Sequence, residues 1–339
     1  MVQTDTMLPP EPGADMKRRE FLGLVGSAAA WPVVVRAQSS GKVFQVGILY
    51  PGPQTILVSR IAAIQSGLLA GGLHVEQFEI VSRAAEGNPA RLPPMAVDLI
   101  AHKVDMICAL SPAAVRAARA ASNTVPIVAG DLESDPVEAG FIATNARPGG
   151  NITGVFLDFP DFSKKWLEVL KETLPGLSTV AVLWDSATGP YQLNSIKIAA
   201  KTLGVTIALL EVRRPDELEY SFESIAQSKA GALLMLSSPL IAGNTKLLAE
   251  LALKHRLPAI TLFSEFARDG GLMAYGPNLL GVVRHEGLMA ARILLGANPA
   301  TTPIEAPTKF EFVLNLKTAH ALGLAIPPSV LLRADEVIE

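Results

Sequence analysis

The chain predicts an α/β fold of two doubly wound, mainly parallel sheets flanked by helices, and three observations carry that expectation. Short apolar strands alternate with helical stretches from Val43 to Tyr275. Hydrophobic residues make up 49% of the chain and charged ones 18%, a balance that suits parallel strands covered on both faces. The pattern also restarts. A strand, Ser, Pro and a helix occur at 104–112 and again at 230–239, each followed by a Pro-containing strand at 125–128 and 257–260. Two halves built alike place matching strand ends opposite each other across a cleft.

Taken in order, the first strand is expected at 43–49. A helix over 58–69 follows, with Ile61, Ile64, Gln65, Leu68 and Leu69 at near-helical spacing and Gly71-Gly72 as its stop. Strands at 75–81, 104–110, 125–129 and 151–155 complete the first half, and Pro93 and Pro112 each open a helix at its first turn. The second half begins with a helix over 161–172, where Phe162, Trp166, Val169 and Leu170 form one apolar face before Pro175-Gly176 ends it. Its strands are expected at 179–184, 205–212, 231–236, 259–262 and 272–275.

Ahead of these halves, Lys17, Arg18 and Arg19 precede an apolar stretch from Phe21 to Val35, and Val35-Arg36-Ala37 offers small residues for cleavage. The stretch is shorter than the roughly 18 residues that suggest a membrane span, so 16–37 reads as a removable export signal. Arg18-Arg19-Glu20-Phe21-Leu22 resembles a twin-arginine signal, although Lys17 and Gly23 depart from its fuller consensus. Residues 1–15 form a Pro-rich, acidic leader that sits oddly before a basic region, which makes Met16 the expected natural start. No cysteine directly follows the apolar stretch, as a lipobox would require, so no lipid anchor is expected and the product should be periplasmic.

About 300 residues remain after Gln38, enough for two domains of roughly 150 each. A net charge of -3 and no Lys/Arg cluster beyond the signal argue against nucleic acid or anionic membrane as partner. Cys108, the single cysteine, stands in an apolar run and reads as a buried small hydrophobe, so no internal disulfide forms. The five histidines are scattered without metal-ligand spacing, and no Walker loop, Gly-x-Gly-x-x-Gly fingerprint or Gly-x-Ser-x-Gly elbow is present after the signal. Neither metal nor cofactor is expected.

In doubly wound folds ligands sit beyond the carboxyl ends of the strands, so the residues there are the candidates. Ser111-Pro112-Ala113 joins a capping hydroxyl to Pro at the first helical position and leaves backbone amides toward the cleft, as does Ser238 before Pro239. As an isolated motif, Ser-Pro is also an ordinary helix cap. Asp131 and Asp135 follow the strand at 125–129 and can receive an amine or hydroxyl; Asp135 equally suits the cap of a helix begun by Pro136. Asp185 ends the strand at 179–184, where an Asx turn explains it as well. Tyr50, Tyr191, Phe263 and Tyr275 fall at strand ends or early loops as pocket walls or packing, and Glu265 follows in a loop.

Several stretches together resemble the tryptophan/tyrosine-type substrate-binding proteins of bacterial ABC importers. They include Ser134-Asp135-Pro136-Val137, Arg147-Pro148-Gly149-Gly150-Asn151-Ile152-Thr153-Gly154, Lys165-Trp166-Leu167-Glu168-Val169-Leu170-Lys171, Gly270-Gly271-Leu272-Met273-Ala274-Tyr275-Gly276-Pro277, Pro307-Thr308-Lys309-Phe310-Glu311, Asn315-Leu316-Lys317-Thr318-Ala319, Ala321-Leu322-Gly323-Leu324 and Arg333-Ala334-Asp335-Glu336-Val337-Ile338. The resemblance implies a type I-like, two-lobed periplasmic-binding-protein fold with three interlobe crossings. One lobe would be 43–155 with 278–305, the other 156–277 with 306–339, hinged at 154–158, 276–278 and 306–308. It implies a monomeric receptor that performs no chemistry, captures a small ligand between its lobes and presents it to an inner-membrane permease. An amino acid, an aromatic one among the options, is the implied ligand; another small organic acid or amide stays open. Tyr50-Pro51-Gly52-Pro53-Gln54-Thr55 departs from the family's richer polar loop, and Leu132-Glu133 separates Asp131 from the Ser134-Asp135-Pro136 motif. The competing reading is a secreted α/β enzyme using Asp131, Asp135 or Asp185 as acid or base. The sensor lobe of a transcription regulator shares the fold but lacks a helix-turn-helix and conflicts with the signal.

Overall fold

The computed structural model describes residues Lys42–Glu339; the leader at 1–15 and the export signal at 16–37 lie outside the described residues. Alternating apolar side chains set the first sheet. In β1 (Phe44–Tyr50) and β3 (Met106–Leu110), residues Val46, Ile48, Tyr50, Met106, Cys108 and Leu110 enter one core, while Leu49, Ile107 and Ala109 enter a second core on the opposite face. With β2 (Phe78–Ala84), β4 (Ile127–Asp131) and β5 (Ile152–Phe156) they form a parallel sheet of order β2-β1-β3-β4-β5.

The second sheet contains β6 (Thr179–Asp185), β7 (Thr206–Val212), β8 (Ala232–Met235), β9 (Ala259–Thr261) and β10 (Met273–Pro277) in the order β10-β9-β8-β6-β7. Read from its other end, this is the same 2-1-3-4-5 winding as the first sheet. The repeat seen in the punctuation is therefore a repeat of topology. Two further strands, β11 (Phe310–Asn315) and β12 (Glu336–Ile338), extend the β10 edge; β11 pairs antiparallel to β10 and β12 parallel to β11. Both lie beyond the strand–helix alternation that ends at Tyr275, although Phe310-Glu311-Phe312-Val313-Leu314 carries strand-like alternation.

Boundaries moved where local turns intervene. β2 begins at Phe78 rather than near residue 75, because Val75–Gln77 forms a 3-10 turn. The helix expected over 58–69 is α1 (Gln54–Ala70), which starts directly after Pro53. No helix follows Pro136: Asp135 Oδ1 accepts the Val137 and Glu138 amides at 2.8 and 2.7 Å in a turn that goes no further. The helix-cap expectation for Asp135 is thus corrected to an isolated Asx turn.

On the faces of the first sheet lie α1, α2 (Leu92–Ala101) and α3 (Pro112–Ala121). The second has α4 (Phe159–Thr173), α5 (Tyr191–Leu203), α6 (Leu218–Ser228), the single turn α7 (Pro239–Ala242), α8 (Thr245–Lys254) and α9 (Ser264–Arg268). The chain passes between the sheets three times. Leu157 and Asp158 lead from β5 into α4, and Asn278 leads from β10 into α10 (Leu279–Leu294), which packs back on the first sheet. The return to β11 comes after Glu305, whose backbone bonds to Gly154 and Phe156 at the β5 edge. The short α11 (Leu316–Leu322) and α12 (Pro328–Leu331) close the second lobe.

Helix α10 reaches the first sheet because its backbone touches that of α1. A Cβ on Gly67 would stand 2.0 Å from the Arg284 carbonyl oxygen, and one on Gly287 would stand 2.3 Å from that of Ile64. Only glycine permits this approach. We expect Gly287→Ala to lower the unfolding free energy by about 1–3 kcal/mol in urea titrations. Gly176→Ala, where an added Cβ meets nothing within 4 Å, serves as the neutral control.

Candidate functional site

Both sheets have their switch points, between β1 and β3 and between β6 and β8, facing one cleft, the position where doubly wound folds gather ligand groups. The loops beyond β1, β3, β4, β8 and β9, together with α10, line an inner chamber of about 40 Å3. Of the residues expected from the sequence, Tyr50, Ser111, Ser238 and Phe263 line it. Ser111 and Ser238 also act as caps, their hydroxyls accepting the Ala114 and Ile241 amides at 3.3 and 3.1 Å. The cap and cleft roles therefore coincide on the same two residues.

The charged groups of this chamber are not among the candidates that the strand ends and Ser-Pro motifs single out. Glu133, on the loop after β4, and Glu286, on α10, both line it and are buried. Asp131 does not line it. One of its carboxylate oxygens accepts the Glu133 and Ser134 amides at 2.9 and 3.0 Å, and the other accepts the Ser134 hydroxyl. Its work is local: an Asx turn that carries Glu133 to the chamber wall. Gly130 makes room for Glu286, because a Cβ there would come within 2.2 Å of Glu286 Oε1.

Across the cleft the Ser237 hydroxyl donates to Glu133 Oε1 at 2.9 Å. Ser237 is itself held by Gln192, whose side chain bonds to both its amide and its carbonyl at 2.8 Å. Arg116 adds a second bond between lobes, to the Ala187 carbonyl at 3.2 Å. The lobes are thus closed on each other. Arg60 sits 4.6 Å from the centre of the Tyr50 ring, a cation–π contact at the edge of the chamber.

Two buried polar atoms have no partner among the described residues, Tyr50 Oη and Glu286 Oε2. Their burial makes charge costly. Burial pushes the Glu286 carboxyl up to about 8, against some relief from Arg60. Glu133 is raised by burial and then by the neighbouring Asp131 carboxylate, with the Ser237 bond and Arg60 opposing. Burial likewise raises Asp131 and the Tyr50 hydroxyl. The chamber thus contains acid groups short of positive charge.

An outer chamber of about 180 Å3 shares Ser111 and Pro239 with the inner one and takes in Pro112, Ala113 and Asp185. Asp185 is buried, which raises its carboxyl, and it accepts the Ala187 amide at 2.9 Å. The remaining candidates lie apart. Asp135 and Tyr191 line a third cavity beside Leu157 and Asp158 at the first crossing, where burial and nearby Asp135, Asp158 and Glu138 push Tyr191 up to about 12. Tyr275 lines none of the described cavities; its ring stacks on Phe162 at 5.3 Å and its carbonyl accepts the Trp166 indole N–H at 2.6 Å. Glu265 is exposed on α9, outside both chambers. Among the described residues no cluster of side chains is arranged to hold a metal.

Two α/β lobes joined by three crossings and closed on a chamber at both switch points define a type I-like binding protein. Residues 54–338 match the family model described as ABC transporter substrate binding protein, and the chain belongs to that family. A curated relative from Clostridioides difficile, named tyrosine-binding protein, is 23% identical over 74% of this chain and 72% of its own length. Among solved structures, the ABC domain in complex with L-Trp from Streptococcus pneumoniae superposes with a TM-score of 0.81 at 25% identity, covering 88% of this chain and all (100%) of that one. A conserved domain protein from Vibrio cholerae reaches the same TM-score of 0.81 at 22% identity over 87% of this chain and 100% of that one, and so shows the fold.

The signs of the acid shifts fix a pH dependence. Glu286 is protonated in the folded chain up to about 8, whereas the unfolded chain ionises near the ordinary value of 4.5. Its contribution to stability is therefore complete below that ordinary value and lost as pH rises through about 8. We expect Glu286→Gln to make the ligand-free protein more stable than wild type at pH 8, by up to about 3 kcal/mol, with the gain shrinking toward pH 4 in urea titrations at each pH.

Proposed function

We propose that this protein is the periplasmic receptor of an importer, that it takes an amino acid or closely similar amine between its lobes, and that it delivers the ligand unchanged to an inner-membrane permease. The observation that carries this reading is the pair of buried carboxylates, Glu133 and Glu286, facing one closed chamber, with Glu286 Oε2 unpartnered. An ammonium group placed between them supplies the missing donors and charge. It turns two costly groups into paired ones. The relatives named for tyrosine and L-Trp support an amino acid as the class.

In this mechanism the open form leaves both carboxylates solvated, and closure is favourable once a cation accompanies them. Contacts made by both lobes bias the equilibrium because only the closed form satisfies them together. Tyr50, Ser111, Ser238 and Phe263 form the remaining walls, and Arg60 moderates the negative charge. We assign the lobes as 43–155 with 278–305 and 156–277 with 306–339, with bending at the three crossings. The export signal at 16–37 supports the periplasmic assignment. The relatives are binding proteins, so the carboxylates are read as recognition groups rather than as acid or base.

The full chain should show a rise in melting temperature with particular amino acids in a thermal-shift screen, and calorimetry of those ligands should give a one-to-one complex. Glu133→Gln and Glu286→Gln should each weaken binding at least thirtyfold, about 2 kcal/mol. Mass spectrometry of the mixture should recover the ligand intact. Affinity unmoved by both substitutions sinks the ammonium assignment, and consumption of the ligand sinks the receptor.

A further inference from the structure

Glu133 follows β4 and Glu286 sits on α10, which packs on the same sheet, so both carboxyls approach the inner chamber from one side. Ser237, which follows β8 of the second sheet, closes over them and donates to Glu133 at 2.9 Å. The space left is about 40 Å3, on the scale of a few waters. Arg60 is the one cationic side chain among the described residues that line it, and it stands over the Tyr50 ring. The other groups around the pair add no positive charge. Asp131 accepts the Glu133 amide, Asp185 acts on Glu133 from the second sheet, and burial holds Tyr50 and Cys108 protonated. Arg116 relieves Asp131, and His285, next to Glu286 in the chain, turns to Glu305 at the third crossing. Two ionised carboxylates shut in here exceed the single guanidinium by a full charge, and Glu286 Oε2 has no donor at all.

Opening of the lobes changes this balance. Water then solvates both carboxyls, which ionise in their ordinary range, whereas closing over them without a cation drives them to take up protons. Resting on the amine-receptor reading above, we propose that protons are the competing ligand of this chamber: they let the empty lobes close, and an amine is captured only as those protons leave for solvent. Charge balances in the filled form, where the ammonium and Arg60 face two ionised carboxylates and up to two protons have passed to the solvent. The upward shifts that burial causes at both Glu133 and Glu286 have the matching sign. The closed empty form holds more protons than the open one. Its closure is therefore favoured below the ordinary carboxyl value of 4.5 and lost as pH rises through about 8.

Small-angle X-ray scattering of the ligand-free full chain tests the closure. Its radius of gyration should be smallest near about pH 5.5 and grow toward about pH 8. A chain carrying both Glu133→Gln and Glu286→Gln should stay compact throughout, because Gln has the shape of the protonated carboxyl and cannot ionise. Calorimetric titration with L-tyrosine tests the competition. Wild-type affinity should rise with pH over the same range, by about tenfold per pH unit for each proton displaced. Repeating the titration in two buffers of different ionisation enthalpy should count about one to two protons released near pH 5.5 and fewer toward pH 8. A radius of gyration that ignores pH, a double variant that opens with pH as wild type does, or an affinity flat in pH with no proton released overturns the proposal. Each of these leaves the weakened binding of the single Gln variants at fixed pH, and with it the amine reading, intact. Failure of every amino acid to bind at any pH instead removes the amine reading and the competition together.

Discussion

The cost of holding negative charge in a closed cleft organises this protein. Glu133 and Glu286 come from elements far apart in the chain, a loop after β4 and a helix reached through the other lobe, yet both end at the same chamber. Among the described residues neither forms an ion pair, in contrast to the surface pairs such as Arg268 with Glu336. On the amine-receptor proposal, the free energy withheld from the empty closed form would be returned when a cation enters. Affinity and closure then share one source.

Much of the surrounding structure serves to place those two groups. The Asx turn of Asp131 presents Glu133, and Gln192 fixes the Ser237 backbone so that its hydroxyl meets that carboxylate from the facing lobe. Gly130 gives way to Glu286, while Gly67 and Gly287 let α10 lie close enough to α1 to deliver it. These are backbone and small-residue devices. Their effect on ligand chemistry is indirect, since each decides where a carboxylate stands rather than touching a ligand.

The sheets were legible in the sequence because buried parallel strands are short apolar runs, and the Ser-Pro punctuation after β3 and β8 marked both switch points. The residues of greatest electrostatic consequence were less visible. Glu133 lies in a loop, where no period distinguishes a buried carboxylate from a solvated one, so it read as a spacer between Asp131 and Ser134. Glu286 did leave a trace. It interrupts the apolar helical face of Val282, Val283, Met289 and Ala290, and a Glu on a buried face signals a demand for a partner. Tyr275 shows the reverse limit, because an aromatic at a strand end suits a ligand wall and the core packing it actually joins with Phe162 and Phe310.

The return of α10 to the first sheet also bears on how the chain acquires its structure. Val46, Ile48, Met106 and Cys108 share a core with Val282, Val283, Met289 and Ala290, residues separated from them by the whole of the second parallel sheet. The first lobe therefore lacks one of its covering helices until synthesis has passed Leu294, however early its strands emerge. Contacts of such long sequence separation slow folding and prolong exposure of apolar surface. Until α10 arrives, the unfinished first lobe leaves the apolar face that this helix covers open to solvent.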